Sequence, residues 1–369
     1  VPHWIDNPTA LDAYLQSRPT RIGLDTEFVR ERTYWPQLAL VQIALDDEVL
    51  LVDPLAPGMT DALRPWLTDP TITKVMHSAS EDLVAFKFTC GVLPTPLFDT
   101  QMAAALAGVA AGIGYQKLVE RITGVTLAKG ETRSDWLRRP LSEAQLHYAA
   151  DDVRYLFAVH DALEGQLREA GRLQWLQDDC ARFVELAAQD EVERWPHLSM
   201  RSAQFLDAAA QRRLVRLLRW RDVQARSSDK PRSWILDNEL AVGLARNPPE
   251  DRAALQKVFD AQPKAPRKLA DAVWAALTTP LPDEEDTPLA RNASDGDKAA
   301  LKRLQDAVSQ RSADLGLPDG VLASRRYLEA LLESGAWPTA LSGWRRAELE
   351  PVLAPLLNPA GLAPATPAG

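Results

Sequence analysis

Strand-length runs of branched aliphatic residues cluster near the start of this chain and stop well before its middle, which limits the folds open to it. Arg21–Phe28 (RIGLDTEF), Leu38–Leu45 (LALVQIAL) and Val49–Val52 are such runs, and Thr71–Met76 adds a shorter one. They predict consecutive strands of one sheet. Helical patterns follow. Ser78-x-x-Glu81 reads as a capping box that opens a helix with Asp82 in its first turn, and Thr100–Ala107 and Gln116–Ile122 continue in helical spacing. A second capping box, Ser142-x-x-Gln145, opens a long helix through Tyr148, Asp152, Leu156 and Val159. From about Arg201 the strand signals disappear, and arginine-rich helical text such as Gln211–Arg226 is broken by Pro231, by Asn247-Pro248-Pro249 and by Pro263. The class is α/β, with an all-α part behind it.

At 369 residues the chain is long enough for two or three domains and a large buried site. The Pro- and acid-rich stretch Thr278–Gly296 reads as a linker, a second helical block runs from Asp297 to about Leu357, and the Ala/Pro tail after Asn358 reads as disordered. Hydrophobic content of 46% with 25% charged residues is that of an ordinary globular protein, and no apolar run reaches the length of a membrane span. The first residues, Val1 to Trp4, lack the pattern of a secretory signal, so a cytoplasmic location is expected. A monomer is the default expectation. Cys90 and Cys180 are far apart and have no companion at metal-site spacing, which argues for free buried thiols over a disulfide or a zinc site. The net charge of −9 argues against coating nucleic acid through a global positive field but not against a local site. Between Leu206 and Pro280 there are 14 basic and 9 acidic residues, a local excess that fits either an RNA-handling face or the solvent side of a helix bundle. Trp220 and Trp234 read as core.

The sharpest local feature is Asp25-Thr26-Glu27 inside a hydrophobic strand. Alternate residues of a strand project to one face, so the pair presents two carboxylates side by side. A lone Asp-x-Glu is as well a solvent-facing pair at a strand end. Two later acids change the weighing: Asp82 in the first turn of a helix, and Asp152 one turn beyond Tyr148 on another. Four carboxylates and a phenol match two-metal phosphodiester chemistry, in which two divalent cations clamp the attacking and leaving oxygens, and oxygen ligands select magnesium or manganese over zinc. Tyr148 then orients the nucleophilic water.

GLDTEF followed by TYWPQLALVQIA, then HSASEDLVAF, then LSEAQLHYAADDVRYL together resemble the three exonuclease motifs of the DEDD superfamily, and specifically the bacterial ribonuclease D family. The resemblance covers most of the first 165 residues. WRDVQARSSDKPRSWILDNELAVGLARNPP resembles the HRDC domain that follows the nuclease in that family, and the block with LASRRYLEALL resembles a second, divergent copy. What this implies is a ribonuclease H-like exonuclease domain, a mixed sheet flanked by helices, over 1–200, an HRDC domain over 205–280, a linker over 281–296, a second HRDC-like domain over 297–358 and a tail over 359–369. It further implies 3′→5′ trimming of RNA with a single-stranded 3′ end, notably transfer RNA precursors, with release of nucleoside 5′-monophosphates. A DNA 3′→5′ exonuclease shares the same carboxylates, and a non-catalytic RNA-binding protein on this fold is the remaining alternative.

Asp25, Glu27, Asp82 and Asp152 are thus the expected metal ligands, with Glu27 also meeting the terminal 3′-hydroxyl and Tyr148 completing the catalytic set. Superfamily members use Tyr-x-x-x-Asp or His-x-x-x-x-Asp, and His147 makes both readable here. An ideal helix puts His147 about 140° from Asp152 and Tyr148 about 40° away, which favours the tyrosine. Asp151 lies about 100° around from Asp152 and reads as solvent-facing. Asp99 reads as a helix N-cap. Substrate contacts are expected from Phe28 against the terminal ribose, from His77 against the terminal nucleotide, and from Lys129, Arg133 or Arg138 to phosphate.

Overall fold

A computed structural model describes residues 2–46, 48–128, 130–131, 134–189, 192–291 and 294–357. The tail expected over 359–369 lies outside the described residues. Two compact units are present: one comprises Val1–Val29, Leu38–Ala188 and Ser294–Gly369, and the other comprises Arg30–Gln37 with Gln189–Ala293.

The first unit is built on a six-stranded mixed sheet. Its strands are β1 (His3–Ile5), β2 (Arg21–Val29), β3 (Gln37–Ala44), β4 (Val49–Val52), β5 (Thr73–Met76) and β6 (Leu97–Asp99), in the order β1-β4-β3-β2-β5-β6. β1 pairs parallel with β4, β3 antiparallel with β4 in the register Val41–Val52 to Ala44–Val49, and β5 parallel with both β2 and β6. β3 is buried from Leu38 through Ala44, which is why its text is a continuous apolar run instead of an alternation. The three-residue strands β1 and β6 carry too few residues for a periodic signal, and the sequence did not announce them.

Helices α1 (Pro8–Leu15), α2 (Met59–Thr68), α3 (Ser80–Cys90), α4 (Thr100–Leu106), α5 (Tyr115–Thr123), α6 (Glu143–Arg154), α7 (Leu156–Glu169) and α8 (Leu173–Ala188) surround this sheet. The capping box expected at Ser78 does not form. Ser78 sits at φ 57, in the left-handed region, and α3 begins two residues later. Its start is held instead by Asp99, whose carboxylate accepts from the Ala79 N–H at 2.9 Å and also caps α4 through Gln101 and Met102. At Ser142 the capping box is complete, with Ser142 and Gln145 bonded reciprocally at 3.0 and 3.2 Å. The single long helix expected beyond it is two helices, broken at Tyr155.

The second helical block, α14 (Asp295–Asp314), α15 (Arg325–Ser334) and α16 (Trp344–Leu357), belongs to this same unit and shares its hydrophobic core through Leu301, Leu304, Leu328, Leu349 and Leu353. Trp175 on α8 stacks on Trp344 at 4.2 Å with the rings 4° from parallel. Buried Asp179 accepts from Trp344 Nε1 at 3.1 Å and from Arg345 at 2.6 Å. A sequence boundary drawn between the blocks misses this because α8 contributes to both sides of one core.

The second unit packs α9 (Ala208–Ser228) against α11 (Asn238–Arg246) and α13 (Ala270–Thr278), with α10 (Arg232–Ile235) and α12 (Arg252–Asp260) completing it. Leu214, Leu217, Leu244, Leu255, Phe259 and Val273 form its core. The acid-rich stretch read as a linker is engaged here: Glu284 is buried and Asp283 pairs with Arg194 and Arg219, both at 2.8 Å. Trp220 packs against the core as expected, whereas Trp234 is 56% exposed. α10 is a single turn too short to bury both Ile235 and Trp234.

Candidate active site

β2 sets Asp25 and Glu27 on one face by its two-residue period, and the cleft formed there gathers the other two acids. Asp82 lies in the first turn of α3, 7% exposed, and receives a hydrogen bond from the Thr26 hydroxyl. Asp152 lies on α6 with Tyr148 one turn earlier, the phenol within hydrogen-bonding reach of its carboxylate. His147 is exposed on the same helix, and Asp151 is part-exposed and paired with Arg154 at 3.1 Å. Asp25, Glu27, Asp82, Asp152 and Tyr148 therefore converge, and the neighbouring His147 and Asp151 do not.

The electrostatics of this cluster follow from burial and like charge. Burial, then Asp82, Asp152 and Glu27, hold the Asp25 carboxyl well above the usual range. Glu27 is pushed up to about 9 by burial and by Asp152 and Asp82. Burial raises Asp82 to about 6 against the pull of the Thr26 hydroxyl, and raises Asp152 to about 7 against that of Tyr148. The Tyr148 phenol is pushed well above its ordinary value by burial and by Asp152, Glu27 and Asp25, so it is neutral at physiological pH. Four oxygen donors that repel one another in a desolvated cleft fit a divalent cation, which removes the cost of ionising them together. Among the described residues no group of three or more histidine, cysteine, aspartate or glutamate side chains is already drawn in to the spacing that would hold a metal ion.

Several residues unremarked in the sequence build this cleft. Thr26, between the two acids of β2, holds Asp82. Tyr115 clamps the break after α6: its hydroxyl donates to the Asp151 carbonyl at 3.1 Å and accepts from the Tyr155 N–H at 3.2 Å. Arg139 ties the segment before α6 to the sheet through Asp53, at 2.7 and 2.9 Å, and the Ala39 carbonyl at 2.6 Å. Gly130 has no side chain where a Cβ would stand 3.0 Å from the Tyr148 ring. None of these carries a local pattern; each is defined by a partner distant in sequence.

Phe28 is part-buried against the core at the end of the acidic strand. Both ring nitrogens of His77 have protein partners, Thr100 Oγ1 at 2.8 Å and the Ile113 carbonyl at 3.0 Å, and its ring faces Tyr115. Arg138 is exposed. Lys129 and Arg133 lie outside the described residues. Asp99 is the N-cap the sequence suggested, here also fixing the helix that carries Asp82.

A mixed sheet bearing Asp-x-Glu on a central strand, an acid at a helix start and Tyr-x-x-x-Asp on a third element is the arrangement of a 3′→5′ exonuclease, and residues 2–168 match the family model for that domain. The chain is 67% identical to a ribonuclease D from Xanthomonas oryzae over 97% of its own length and 99% of that protein's. It is 36% identical to a ribonuclease D from Pseudomonas paraeruginosa over 94% of its length and 95% of that protein's. The crystal structure of Escherichia coli RNase D, described as an exoribonuclease involved in structured RNA processing, superimposes with a TM-score of 0.85 at 31% identity, covering 97% of this chain and 99% of that one. The chain belongs to the ribonuclease D family, whose members are divalent-metal-dependent 3′→5′ exoribonucleases. Among the described residues no helix is long and apolar enough to cross a membrane.

Proposed function

We propose that this exoribonuclease trims single-stranded 3′ tails of structured RNA, transfer RNA precursors above all, with two Mg²⁺ or Mn²⁺ ions held by Asp25, Glu27, Asp82 and Asp152. The observation that carries the reading is the crowding of these four carboxylates, each raised in pKa by burial and the first two also by the charges of Asp82 and Asp152. When bound, the ions would lower the pKa of the attacking water and neutralise the departing 3′-oxygen.

The chain's own residues do the rest. Thr26 fixes one oxygen of Asp82, so that carboxylate faces the cleft in one orientation. Tyr148 is neutral and engages Asp152, which leaves its phenolic lone pair to accept a hydrogen bond from the attacking water and aim that water at the scissile phosphorus. Glu27 meets the terminal 3′-hydroxyl, and Phe28 packs on the terminal ribose, where the 2′-hydroxyl separates RNA from DNA. Because His77 is committed to Thr100 and Ile113, its contribution is to the cleft wall behind that nucleotide. A phosphate contact from Lys129, Arg133 or Arg138 completes the set. We assign α9–α13 as an HRDC domain and α14–α16 as a divergent second copy, on the motif resemblance in each block.

Digestion of a 5′-labelled RNA hairpin with a single-stranded 3′ tail tests this. The expected result is a ladder that shortens from the 3′ end, stalls near the duplex, is lost in EDTA and in Asp25→Ala, and forms faster than on matching DNA. Equal or faster loss of the DNA would move the activity to DNA, and tight binding without cleavage would leave a nuclease fold used for recognition.

A further inference from the structure

Tyr148 is held in place by the segment before α6 as well as by the helix that carries it. Its ring meets Gly130, where a Cβ would stand 3.0 Å from Cδ2, and the indole of Trp136, with ring centroids 6.1 Å apart. Trp136 is buried and packs with Ala39, Leu40, Leu51 and Ala149 in a small core against which Tyr148 lies. The indole Nε1 of Trp136 has no hydrogen-bond partner among the described residues, so its own polar atom fixes nothing. A tie from this segment to α6, from Gln145 Nε2 to the Asp135 carbonyl, is 3.4 Å long and therefore weak.

The strong hold comes from Arg139. Its guanidinium donates to both oxygens of Asp53, at 2.7 and 2.9 Å, to the Ala39 carbonyl at 2.6 Å and to the Trp136 carbonyl at 2.8 Å. One side chain thus joins β3, the residue that follows β4 and the backbone of Trp136. The two partners of the ion pair are mostly buried, with side chains 24% and 11% exposed, so solvent and salt screen the pair little. Only a planar fork can do this, meeting the carboxylate with two parallel bonds and still presenting N–H groups to two carbonyls. A lysine ammonium carries the same charge without the fork.

We propose that Arg139, paired with Asp53, is the positioning residue for Tyr148: by gripping the Trp136 backbone it sets the surface on which the phenol ring rests, and so the direction in which the hydroxyl points. Arg139 acts through Trp136 and the ring, not on the reacting atoms. A hydroxyl displaced by a fraction of an ångström aims the attacking water off its line, which lowers kcat, while the carboxylates of β2 and α3 keep their places. The kinetic consequence rests on the water-orienting role of Tyr148 in the proposed function; the placement of the ring does not.

The test has a structural arm and a kinetic arm, both on the full chain. Fluorine NMR of the chain labelled with 3-fluorotyrosine resolves its 6 tyrosines, and Tyr148→Phe assigns the Tyr148 resonance. In Arg139→Lys that resonance is expected to shift while the other tyrosines keep theirs. On the tailed RNA hairpin, Arg139→Lys is expected to lower kcat about 10-fold, with KM and calcium affinity close to wild type. In the Tyr148→Phe background the same substitution is expected to change kcat by less than about 2-fold, because no hydroxyl is left to misplace. Asp53→Asn keeps an oxygen acceptor for Arg139 but removes the charge; it is expected to act in the same direction more weakly, and carries the test if Arg139→Lys does not fold. An unmoved Tyr148 resonance, or a loss of kcat that persists undiminished in Tyr148→Phe, would overturn the proposal and leave the exoribonuclease reading intact. A shifted resonance in a chain that cleaves no RNA would support the positioning and overturn the proposed function.

Discussion

The carboxylates of the candidate active site and those of the acid-rich stretch beside α9 are treated in opposite ways by the same chain. In the first, four acids share a desolvated cleft in which no cation of the described residues relieves Asp25 or Glu27, and burial drives these two far above their ordinary range. In the second, each acid has an arginine: Asp283 is held well below its usual value by Arg219 and Arg194, and Glu284 by Arg216. The difference separates the proposed metal site, whose acids are left crowded, from a contact complete in itself. Charge that stabilises is paired within the protein, whereas charge that works is left for a ligand to complete.

Asp25→Asn gives the largest break in that comparison. The variant should lose cleavage by roughly 10³-fold or more, and yet be more stable than the wild type in EDTA, since one source of repulsion is gone. Loss of both activity and metal-free stability would show the cluster is not frustrated. Tyr148→Phe comes next, with kcat expected to fall about 100-fold and calcium affinity by calorimetry close to wild type. A full-rate Tyr148→Phe enzyme would remove the water-orienting role.

On the paired side, Arg216→Met strands the buried Glu284 and should cost about 3 kcal/mol in urea unfolding. Arg252→Ala breaks the exposed contact with Asp271 and should stay within about 0.5 kcal/mol. Equal costs would mean burial does not decide the value of these pairs.

The pH response sharpens the contrast with the smallest signal. Glu27 at about 9, Asp152 at about 7 and Asp82 at about 6 all lie above the unfolded carboxylate value near 4. Over that window the folded state holds more protons than the unfolded one, so the stability these groups add is full below about pH 4 and is lost as pH rises toward 9. The melting temperature in EDTA should therefore be lower at pH 9 than at pH 6, and Mg²⁺ should raise it more at pH 9. A metal-free melting temperature independent of pH between 6 and 9 would contradict the crowding.

That Asp25 and Glu27 share a strand face, that Asp82 lies in a first helical turn and that Tyr148 sits beside Asp152 could be read from the sequence because each follows a local rule, while the motif resemblance singled them out as one set. The same rules separated Tyr148 from His147 and Asp152 from Asp151, and the capping box at Ser142 marked where their helix starts. What escaped is what depends on partners far along the chain. Ser78 looked like a cap until the chain's turn put it in the left-handed region and gave Asp99 that task. Tyr115 and Arg139 act only on segments that folding brings beside them. A linker and two independent helical domains seemed natural from composition, but α8 joins the last helices to the nuclease core, and the acid-rich stretch is occupied by arginines about 65 residues earlier. Local periodicity is carried by neighbours in sequence and survives in the bare text; pairing of charge, sharing of a core and exposure of a ring such as Trp234 are set by neighbours in space, which only the tertiary structure supplies.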